Sequence, residues 1–393
     1  YTLRRQPMSS SVFTGRELTA LRVEDVRNLT AFVPSFVMPE YGSRLTSAIY
    51  IRGIGSRINN PAVGMYLDGM PLLSKSAFNM HNYQVDRIDV LRGPQGTLYG
   101  QNTEGGLVRV YSKNPMEYQG TDVKIGLGTR MQRTAEVAHF HRPSQNLAFS
   151  VATFYDGTNG YLKNAVTGDR ADDRNEAGAK ARLLYKPSEK LTVDYIADYQ
   201  YTRQNGFAYG LLDTGTNSVA APETTHRGNY RRNIFNTGLN ISFQTARLHF
   251  NSMTTYQYLN DYMLMDNDYL AADYMWLEER QLQNSLAQEF TLKGKVGERW
   301  RHTSGVFFSH QWLKTNAPVY FGGSMTTPIA TAAATSIRNA IVNSMAESMI
   351  AGGMPPQAAM AQAQAAVERA GGVSMNMDIR VPGLFHTPQS NVG

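Results

Sequence analysis

One glycine-rich stretch decides how this sequence is interpreted. It reads Asp86-Arg87-Ile88-Asp89-Val90-Leu91-Arg92-Gly93-Pro94-Gln95-Gly96-Thr97-Leu98-Tyr99-Gly100. Residues 87–91 alternate polar and apolar side chains, which predicts an amphipathic strand. The glycines between 93 and 106 allow sharp turns and close approach of backbones. The stretch therefore predicts a small mixed domain with tightly packed turns.

Three neighbouring stretches extend this prediction in both directions. Upstream lies Ile51-Arg52-Gly53-Ile54-Gly55, followed by Val63-Gly64-Met65-Tyr66-Leu67-Asp68-Gly69-Met70-Pro71. The Asp-Gly pair between apolar residues predicts a tight hairpin. Downstream, Gly105-Gly106-Leu107-Val108-Arg109-Val110 predicts a further strand.

Composition excludes several classes of protein. The 393 residues carry a net charge of +6 and contain no cysteine, 22 tyrosines and 16 phenylalanines. No apolar run approaches the roughly 18 residues of a membrane-spanning helix, which excludes a helical integral membrane protein. The absence of cysteine excludes disulfides and cysteine-ligated metal sites. Lys and Arg are scattered along the chain, so we expect no nucleic-acid partner.

From Thr121 onward the sequence predicts nine antiparallel strands and the start of a tenth at 388–393. Short polar turns alternate strictly with long loops along this region. Short turns at one rim and long loops at the other are typical of outer-membrane barrels. The predicted strands cover 121–128, 133–142, 146–156, 175–186, 190–203, 233–244, 246–259, 284–294 and 299–314.

Within these strands, one face is apolar and the other polar. In 192–201, for example, Tyr195 and Tyr199 alternate with Asp194 and Asp198. One face would meet lipid and the other a polar lumen, although a soluble antiparallel sheet packed on a core would alternate in the same way. The aromatic residues favour the membrane, because they form a predicted girdle at each rim. The girdle residues are Tyr155, Tyr201, Tyr258 and Trp312 at the long-loop ends and Tyr185, Phe243 and Trp300 at the short-turn ends.

The last long loop has helical periodicity. Ile337, Ile341, Met345 and Met349 recur at helical spacing, and Gly352-Gly353 predicts a stop. We expect a helical hairpin of about 332–351 and 357–370, an insertion that spans 332–370. It is either a loop decoration or a mobile lid over a ligand mouth.

The glycine-rich block strongly resembles the plug domain of TonB-dependent outer-membrane receptors. The resemblance covers about 1–115 and rests on IRG, YLDG, LRGPQGTLYG and GG in that order. It implies a mainly β fold, in which a mixed α/β plug at 1–115 precedes an antiparallel transmembrane β-barrel at 116–393. Barrels of this family have 22 strands, which at the strand spacing seen here would need on the order of 450 residues. We therefore expect the barrel to be incomplete in this chain and the plug to lack its start and its TonB box.

The same resemblance implies a charge lock between the plug and the barrel wall. In the family, the arginines of IRG and LRGP pair with wall glutamates, and the matching residues here are Arg52 and Arg92. We expect most of their partners on strands outside this chain, with Glu289 as the candidate within it. The alternative is that both arginines bind carbonyl groups of the plug.

The plug loops that rise to the outside are expected to face the ligand. Topology puts these apices at 38–44, 56–60 and 74–80. Side chains there that suit an anionic or aromatic chelate are Arg44, Arg57, Asn59, Asn60, Lys75 and Phe78.

Other candidate sites are weaker. His139 and His141 lie two residues apart on a strand but have no third ligand nearby in sequence. The acidic clusters at 169–173 and 266–273 lack the spacing of a calcium loop, so we expect solvated charges. No Walker motif, nucleophile elbow or His-Glu-x-x-His is present. We expect neither an enzyme nor a bound cofactor.

The resemblance implies active import across the outer membrane of a Gram-negative bacterium. Expected partners are the TonB-ExbB-ExbD complex, outer-membrane lipid and a small-molecule ligand, most often a ferric siderophore. Haem, cobalamin and oligosaccharides are alternative cargoes. A passive channel and a soluble β-rich adhesin are alternative classes, and a complete plug argues against the channel.

Overall fold

The computed structural model describes residues 9–44, 48–56, 60–96, 99, 101–296, 300–382 and 387–392. Within these ranges the chain forms a small mixed domain and a long antiparallel sheet. The small domain ends at Ser112 and the long sheet begins at Gly120. We call them the plug domain and the wall.

The plug domain is built on a five-stranded sheet in the order β1-β7-β8-β5-β6. All pairs are antiparallel except β5 with β8. The predicted Asp-Gly hairpin is confirmed, because Leu67 pairs with Met70 across it. Both turn residues, Asp68 and Gly69, have positive φ, as a tight hairpin turn requires. The elements are β1 (Ser9–Thr14), α1 (Gly15–Ala20), β2 (Phe36–Val37), β3 (Tyr50–Ile51), β4 (Ile54–Gly55), β5 (Val63–Leu67), β6 (Met70–Leu72), β7 (Val85–Arg92) and β8 (Gly106–Ser112), with 3₁₀ turns at Val26–Ala31 and Lys75–Ala77.

The wall is a twelve-stranded antiparallel sheet in which most strands pair with the next wall strand along the chain. Its strands lie close to the predicted ones and are longer at the long-loop rim. The predicted start of a tenth strand is β22, which pairs with β19. The strands are β9 (Gly120–Gly128), β10 (Gln132–Ser144), β11 (Leu147–Thr158), β12 (Arg174–Ser188), β13 (Leu191–Gln204), β16 (Asn229–Gln244), β17 (Leu248–Asp266), β18 (Met275–Val296), β19 (Trp300–Asn316), β20 (Val319–Phe321), β21 (Arg380–Val381) and β22 (Thr387–Val392); a 3₁₀ turn lies at Thr129–Met131, and a separate hairpin pairs β14 (Leu212–Asp213) with β15 (Ser218–Val219).

The predicted alternation of faces in the wall is confirmed. On β13, Tyr195 and Tyr199 are 43% and 42% exposed, whereas Asp198 and Gln200 are buried. The polar face is therefore the one covered by the plug domain. Five of the predicted girdle aromatics are exposed large side chains on the outer face, namely Tyr155, Tyr185, Phe243, Trp300 and Trp312.

The plug domain and the wall share one apolar cluster. Plug residues such as Phe36, Val63 and Ile88 belong to the same cluster of buried side chains as Ile196 and Ile234 of the wall. Apolar contacts therefore contribute to holding the plug domain against the inner face of the wall, in addition to the polar contacts described below.

The helical hairpin exists, but its first helix begins earlier than predicted. Helix α2 covers Gly323–Ala351 and α3 covers Pro356–Arg369, so the predicted start at 332 is wrong by nine residues. Asp273 fixes the helix start: its carboxylate accepts a hydrogen bond from the Gly323 amide at 3.1 Å. Small residues, including Ala346, Ala359 and Ala363, fill the contact between the helices. Among the described residues no helix combines the length and apolarity needed to span a membrane.

The acidic clusters are not merely solvated charges, contrary to the prediction. Asp172 accepts hydrogen bonds from the amides of Tyr161 and Leu162 at 2.9 and 2.8 Å. Asp266 is buried and accepts from the amides of Thr225 and His226 at 2.9 and 3.0 Å. These carboxylates organise the long loops, because loop amides need acceptors that the sheet does not supply.

Leu239→Arg tests the assignment of the outer face. Leu239 is exposed on the apolar face of β16, and a charge there would cost about 2–4 kcal/mol at mid-membrane depth and less near the rim. We expect less assembled receptor in the outer membrane, measured as the heat-modifiable fraction on gels. Ala246→Arg, in an exposed short turn, is the control. Equal assembly of both variants would contradict a lipid-facing surface.

Candidate functional site between the plug domain and the wall

One segment of the plug domain, residues 74–83, lies against the polar inner face of the wall. It starts with the 3₁₀ turn Lys75–Ala77, which Ser74 caps by accepting a hydrogen bond from the Ser76 amide at 3.3 Å. Phe78 and Met80 bury their side chains in the shared apolar cluster. We call residues 74–83 the seam segment, because side chains of β10, β12, β13 and β16 bind it.

Arg44 joins a plug apex to both the wall and the seam segment. Its guanidinium forms a two-pronged ion pair with Glu176 of β12, in which Nη2 donates to Oε2 at 2.6 Å and Nε donates to Oε1. Nη1 donates to Oδ1 of Asn79 at 2.6 Å and to its carbonyl at 3.0 Å. Arg174 lies 3.6 Å from Glu176 as a second cation. Both charges of the pair are buried and hydrogen-bonded, which is the condition for a buried pair to be tolerated.

A second buried arginine, which lies on the wall, binds the same turn of the seam segment. Arg232 of β16 is 1% exposed and donates to the carbonyls of Ser76 and Asn79 at 2.6 and 2.8 Å. The carbonyl of Asn79 therefore accepts from both Arg44 and Arg232. Two cations from different parts of the chain converge on one turn, so its position is tightly determined.

Further along the seam segment, Gln200 of β13 imitates a strand partner. Its amide side chain accepts from the His81 backbone amide and donates to the His81 carbonyl, both at 3.1 Å. The imidazole of His81 stacks on Phe154 with ring centroids 4.2 Å apart. Its Nε2 lies 3.4 Å from a carboxylate oxygen of Glu136.

The seam segment ends at Tyr83, which binds a charged pair on the wall. The Tyr83 hydroxyl donates to Asp198 at 3.0 Å, and the Lys180 ammonium lies 3.6 Å from the same carboxylate. Burial, followed by the negative charge of Asp198, raises the pKa of the Tyr83 hydroxyl, so it remains a donor. Lys180 also donates to the Ser112 hydroxyl at 3.0 Å, which connects the end of β8 to the wall.

The predicted ligand-facing residues have different fates. Arg44 is 3% exposed and occupied by Glu176 and Asn79, and Phe78 is 1% exposed in the apolar cluster, so neither faces open space. Lys75 is half-buried and Asn60 is exposed. Arg57 and Asn59 lie outside the described residues.

The three residues of the predicted lock do not come together within the described part of the chain. Arg92 donates to the Pro34 carbonyl at 3.2 Å, which matches the alternative of a plug carbonyl partner. Arg52 is exposed and has a positive φ of 53°. Glu289 accepts from the Thr291 hydroxyl at 3.2 Å and lines a cavity beside Tyr66. Whether Arg52 and Arg92 pair with wall carboxylates stays a prediction.

The wall residues that bind the plug domain were not among the predicted site residues. Glu176, Lys180, Asp198 and Arg232 are charged residues on the inward face of predicted or observed strands, and all are buried. A buried charge on a sheet face signals that a partner covers that face. Three of these residues, Glu176, Lys180 and Asp198, lay within predicted strands, so the signal was present in the sequence.

Metal ligation has no geometric support in the residues that the structure describes. No group of three or more His, Asp or Glu side chains within them is arranged to hold an ion. His139 and His141 stack with centroids 6.1 Å apart, and His139 shares a hydrogen bond with Thr121 at 2.9 Å.

Comparison with known proteins identifies this architecture. Residues 2–107 match the family model described as TonB-dependent Receptor Plug Domain. The pesticin receptor of Yersinia pestis is 28% identical over 208 residues, which cover 51% of this chain and 31% of that receptor. The vitamin B12 transporter BtuB of Vibrio vulnificus is 21% identical over 324 residues, or 77% of this chain and 52% of that protein.

A solved structure has the same fold. The ferric yersiniabactin uptake receptor FyuA from Yersinia pestis superimposes with a TM-score of 0.72 and 23% identity, covering 81% of this chain and 50% of that one. The aligned part of this chain thus corresponds to about a third to a half of the length of these three proteins.

The mixed plug domain matches the plug of TonB-dependent receptors, and its position on the polar face of a long antiparallel sheet matches the fold of the solved receptor. This chain has the plug domain of that family in residues 2–107 and the fold of such a receptor. The resemblance inferred from the sequence is therefore confirmed, and the outer membrane is the location that this plug domain and this sheet define.

Glu176→Ala tests the contact between Arg44 and the wall. Removing one member of a buried pair leaves the other charge uncompensated, which typically costs about 3–5 kcal/mol. We expect a loosened plug, measured as faster protease cleavage of the plug domain in isolated outer membranes and higher permeability to small antibiotics. Glu189→Ala, in an exposed short turn, should leave both unchanged. Wild-type protease resistance in the Glu176 variant would show that Arg44 does not anchor the plug.

Proposed function

We propose that this chain belongs to a receptor for energy-coupled uptake of a scarce nutrient. The observation that carries the proposal is the polar contact between the plug domain and the wall. Its members, among them Arg44 with Glu176 and Tyr83 with Asp198, are hydrogen bonds and ion pairs. Such contacts fix the plug domain in the lumen without a covalent link, so a pull on the plug can move it relative to the wall. A plug held in this way blocks passive flow and yields to work supplied from outside the receptor.

The energy source in this proposal is the TonB-ExbB-ExbD complex of the inner membrane. The match of residues 2–107 to the plug family supports this choice. The partner on the outer face of the wall is outer-membrane lipid, for which the exposed Tyr195, Tyr199 and Trp312 offer an apolar surface.

The proposed cargo is a ferric siderophore or a similar iron chelate. The similarity to FyuA, described as a ferric yersiniabactin uptake receptor, supports it. The similarity to a vitamin B12 transporter keeps cobalamin as the second candidate; haem and oligosaccharides have no such support here. Among the predicted apex residues, Asn60 and Lys75, with Arg57 and Asn59, remain our proposed ligand contacts.

Uptake by the receptor expressed from its own gene tests this function. We expect accumulation of ⁵⁵Fe from at least one of a ferric catecholate, a ferric hydroxamate or a ferric phenolate chelate. Accumulation should stop when TonB is deleted, because the plug then stays in place. Radiolabelled cobalamin and a maltooligosaccharide are the comparison cargoes. Uptake of the oligosaccharide alone, or uptake that persists without TonB, would refute the proposal.

Arg92→Ala tests the lock implied by the family resemblance. If Arg92 binds a wall carboxylate, its loss should raise permeability to small antibiotics as strongly as Glu176→Ala does. If it binds only the Pro34 carbonyl, the cost is one hydrogen bond, about 1 kcal/mol. Unchanged permeability would then reject the lock at this residue.

A further inference from the structure

The plug domain is anchored unequally to the wall. The ion pairs and hydrogen bonds described above join it to β10, β12, β13 and β16. In the described ranges, the side-chain hydrogen bond between the plug and β17–β19 is that of Gln101 Nε2 with Ser309 Oγ, at 2.7 Å. On this second side the apolar contact is made by Met253 and Leu259 of β17, which belong to the buried cluster shared with the plug domain. The plug therefore has a strongly bonded side and a weakly bonded side.

A cavity of about 280 Å³ lies on the weakly bonded side. Wall residues that line it, such as Asn240, His249 and Lys293, lie near the short turns after β16 and β18. The cavity is therefore in the inner half of the receptor, beyond the long loops through which a ligand would enter. Its lining from the plug domain includes Tyr66, Gly69, Tyr99, Arg109 and Tyr111.

The chemistry of the lining suits an aromatic anion. Tyr66 and Tyr99 are in edge-to-face contact at 5.6 Å, and Arg109 donates to the Tyr99 hydroxyl at 2.6 Å. Two polar atoms at the cavity, Nε of Arg109 and Oδ1 of Asn240, are buried and have no hydrogen-bond partner within the described residues. The guanidinium of Arg109, which also pairs with Asp89, and the ammonium of Lys293 can bind phenolate or catecholate oxygens. The tyrosine rings can pack against the ring of the ligand, and Glu289 adds one carboxylate to the lining.

We propose that cargo crosses between the plug domain and strands β17–β19, through this cavity, while the seam segment stays bound as the hinge. The proposal rests on the proposed function. Within the described residues, opening the weakly bonded side breaks one side-chain hydrogen bond and the apolar contacts of Met253 and Leu259. It exposes Arg109 and Asn240, which already have unused hydrogen-bonding capacity. Opening the other side would break the buried ion pair of Arg44 with Glu176, which is more costly. It would also break the hydrogen bonds of Arg232 to the seam segment and of Tyr83 to Asp198.

Two chemical tethers distinguish the sides, and the chain contains no native cysteine to interfere. The weak side is tethered by Gln101→Cys with Ser309→Cys, and the seam by Met80→Cys with Asn236→Cys, whose native side chains lie 3.6 Å apart. Each pair is joined in cells by a short, cleavable thiol-reactive linker. We expect the first tether to lower ⁵⁵Fe uptake from a ferric catecholate about tenfold, with surface binding unchanged and uptake restored on cleavage. The seam tether should leave most of the uptake.

Equal loss of uptake with both tethers, or no loss with the first, would overturn the proposal. A variant without a tether gives a separate check. Asn251→Trp fills the cavity and should lower uptake without lowering binding. Phe250→Trp changes the preceding residue of β17, which does not line the cavity, and should leave uptake unchanged.

A second readout does not depend on the cargo. Met253→Cys is introduced at a buried position, 5% exposed, on the weak side, and Thr202→Cys at one that is 2% exposed on β13. We expect a charged maleimide to label Met253→Cys faster in energised cells than in TonB-deleted cells, and Thr202→Cys to stay unlabelled in both. Labelling of Thr202→Cys alone would place the opening on the seam side. If no iron chelate is taken up, the proposed function is wrong. The labelling pattern tests separately which side of the plug domain opens.

Discussion

A charge buried on the inner face of a sheet must be neutralised and hydrogen-bonded, and the arrangement of the plug domain follows from this requirement. Glu176, Asp198 and Arg232 are almost fully inaccessible to solvent. Their partners include Arg44, Tyr83 and the carbonyls of Ser76 and Asn79, all of which belong to the plug domain. The wall strands are therefore specified together with the segment that covers them. Moving the seam segment by one residue would break its hydrogen bonds to the buried charges of Arg232 and Asp198.

Apolar and polar contacts have different roles in this interface. The shared cluster that includes Phe36, Ile196 and Ile234 favours association without specifying direction. The hydrogen bonds of Gln200 to both backbone groups of His81 specify which residue faces which strand. Net, each neutral hydrogen bond contributes only about 0.5–1.5 kcal/mol, because the separated groups bind water instead. Contacts that are individually weak thus fix the position of the seam segment together.

The fold was largely predictable, because residue alternation reports which face of a strand is wet. The pattern of Tyr195, Tyr199 and Asp198 placed β13 correctly with its polar side inward. Alternation does not identify partners, so Glu176 was not matched with Arg44, and topology alone assigned Arg44 and Phe78 to exposed apices. The start of α2 was missed for a local reason. The apolar periodicity begins only at Ile337, whereas the helix itself accommodates Pro328 and begins at Gly323 beside Asp273.

The helical hairpin has a mechanical consequence. Helix α2 has 29 residues, which makes it about 43 Å long, and α3 packs along it through alanines that permit close contact. Two helices joined in this way form a rigid body rather than a flexible loop. The hairpin is attached to β18 and β20 through the short link at Gly322 and Asp273, which we call the fulcrum. A tilt of only about 10° at the fulcrum would displace the far end by roughly 7 Å. Small adjustments at the rim of the wall are therefore amplified at the far end of the hairpin.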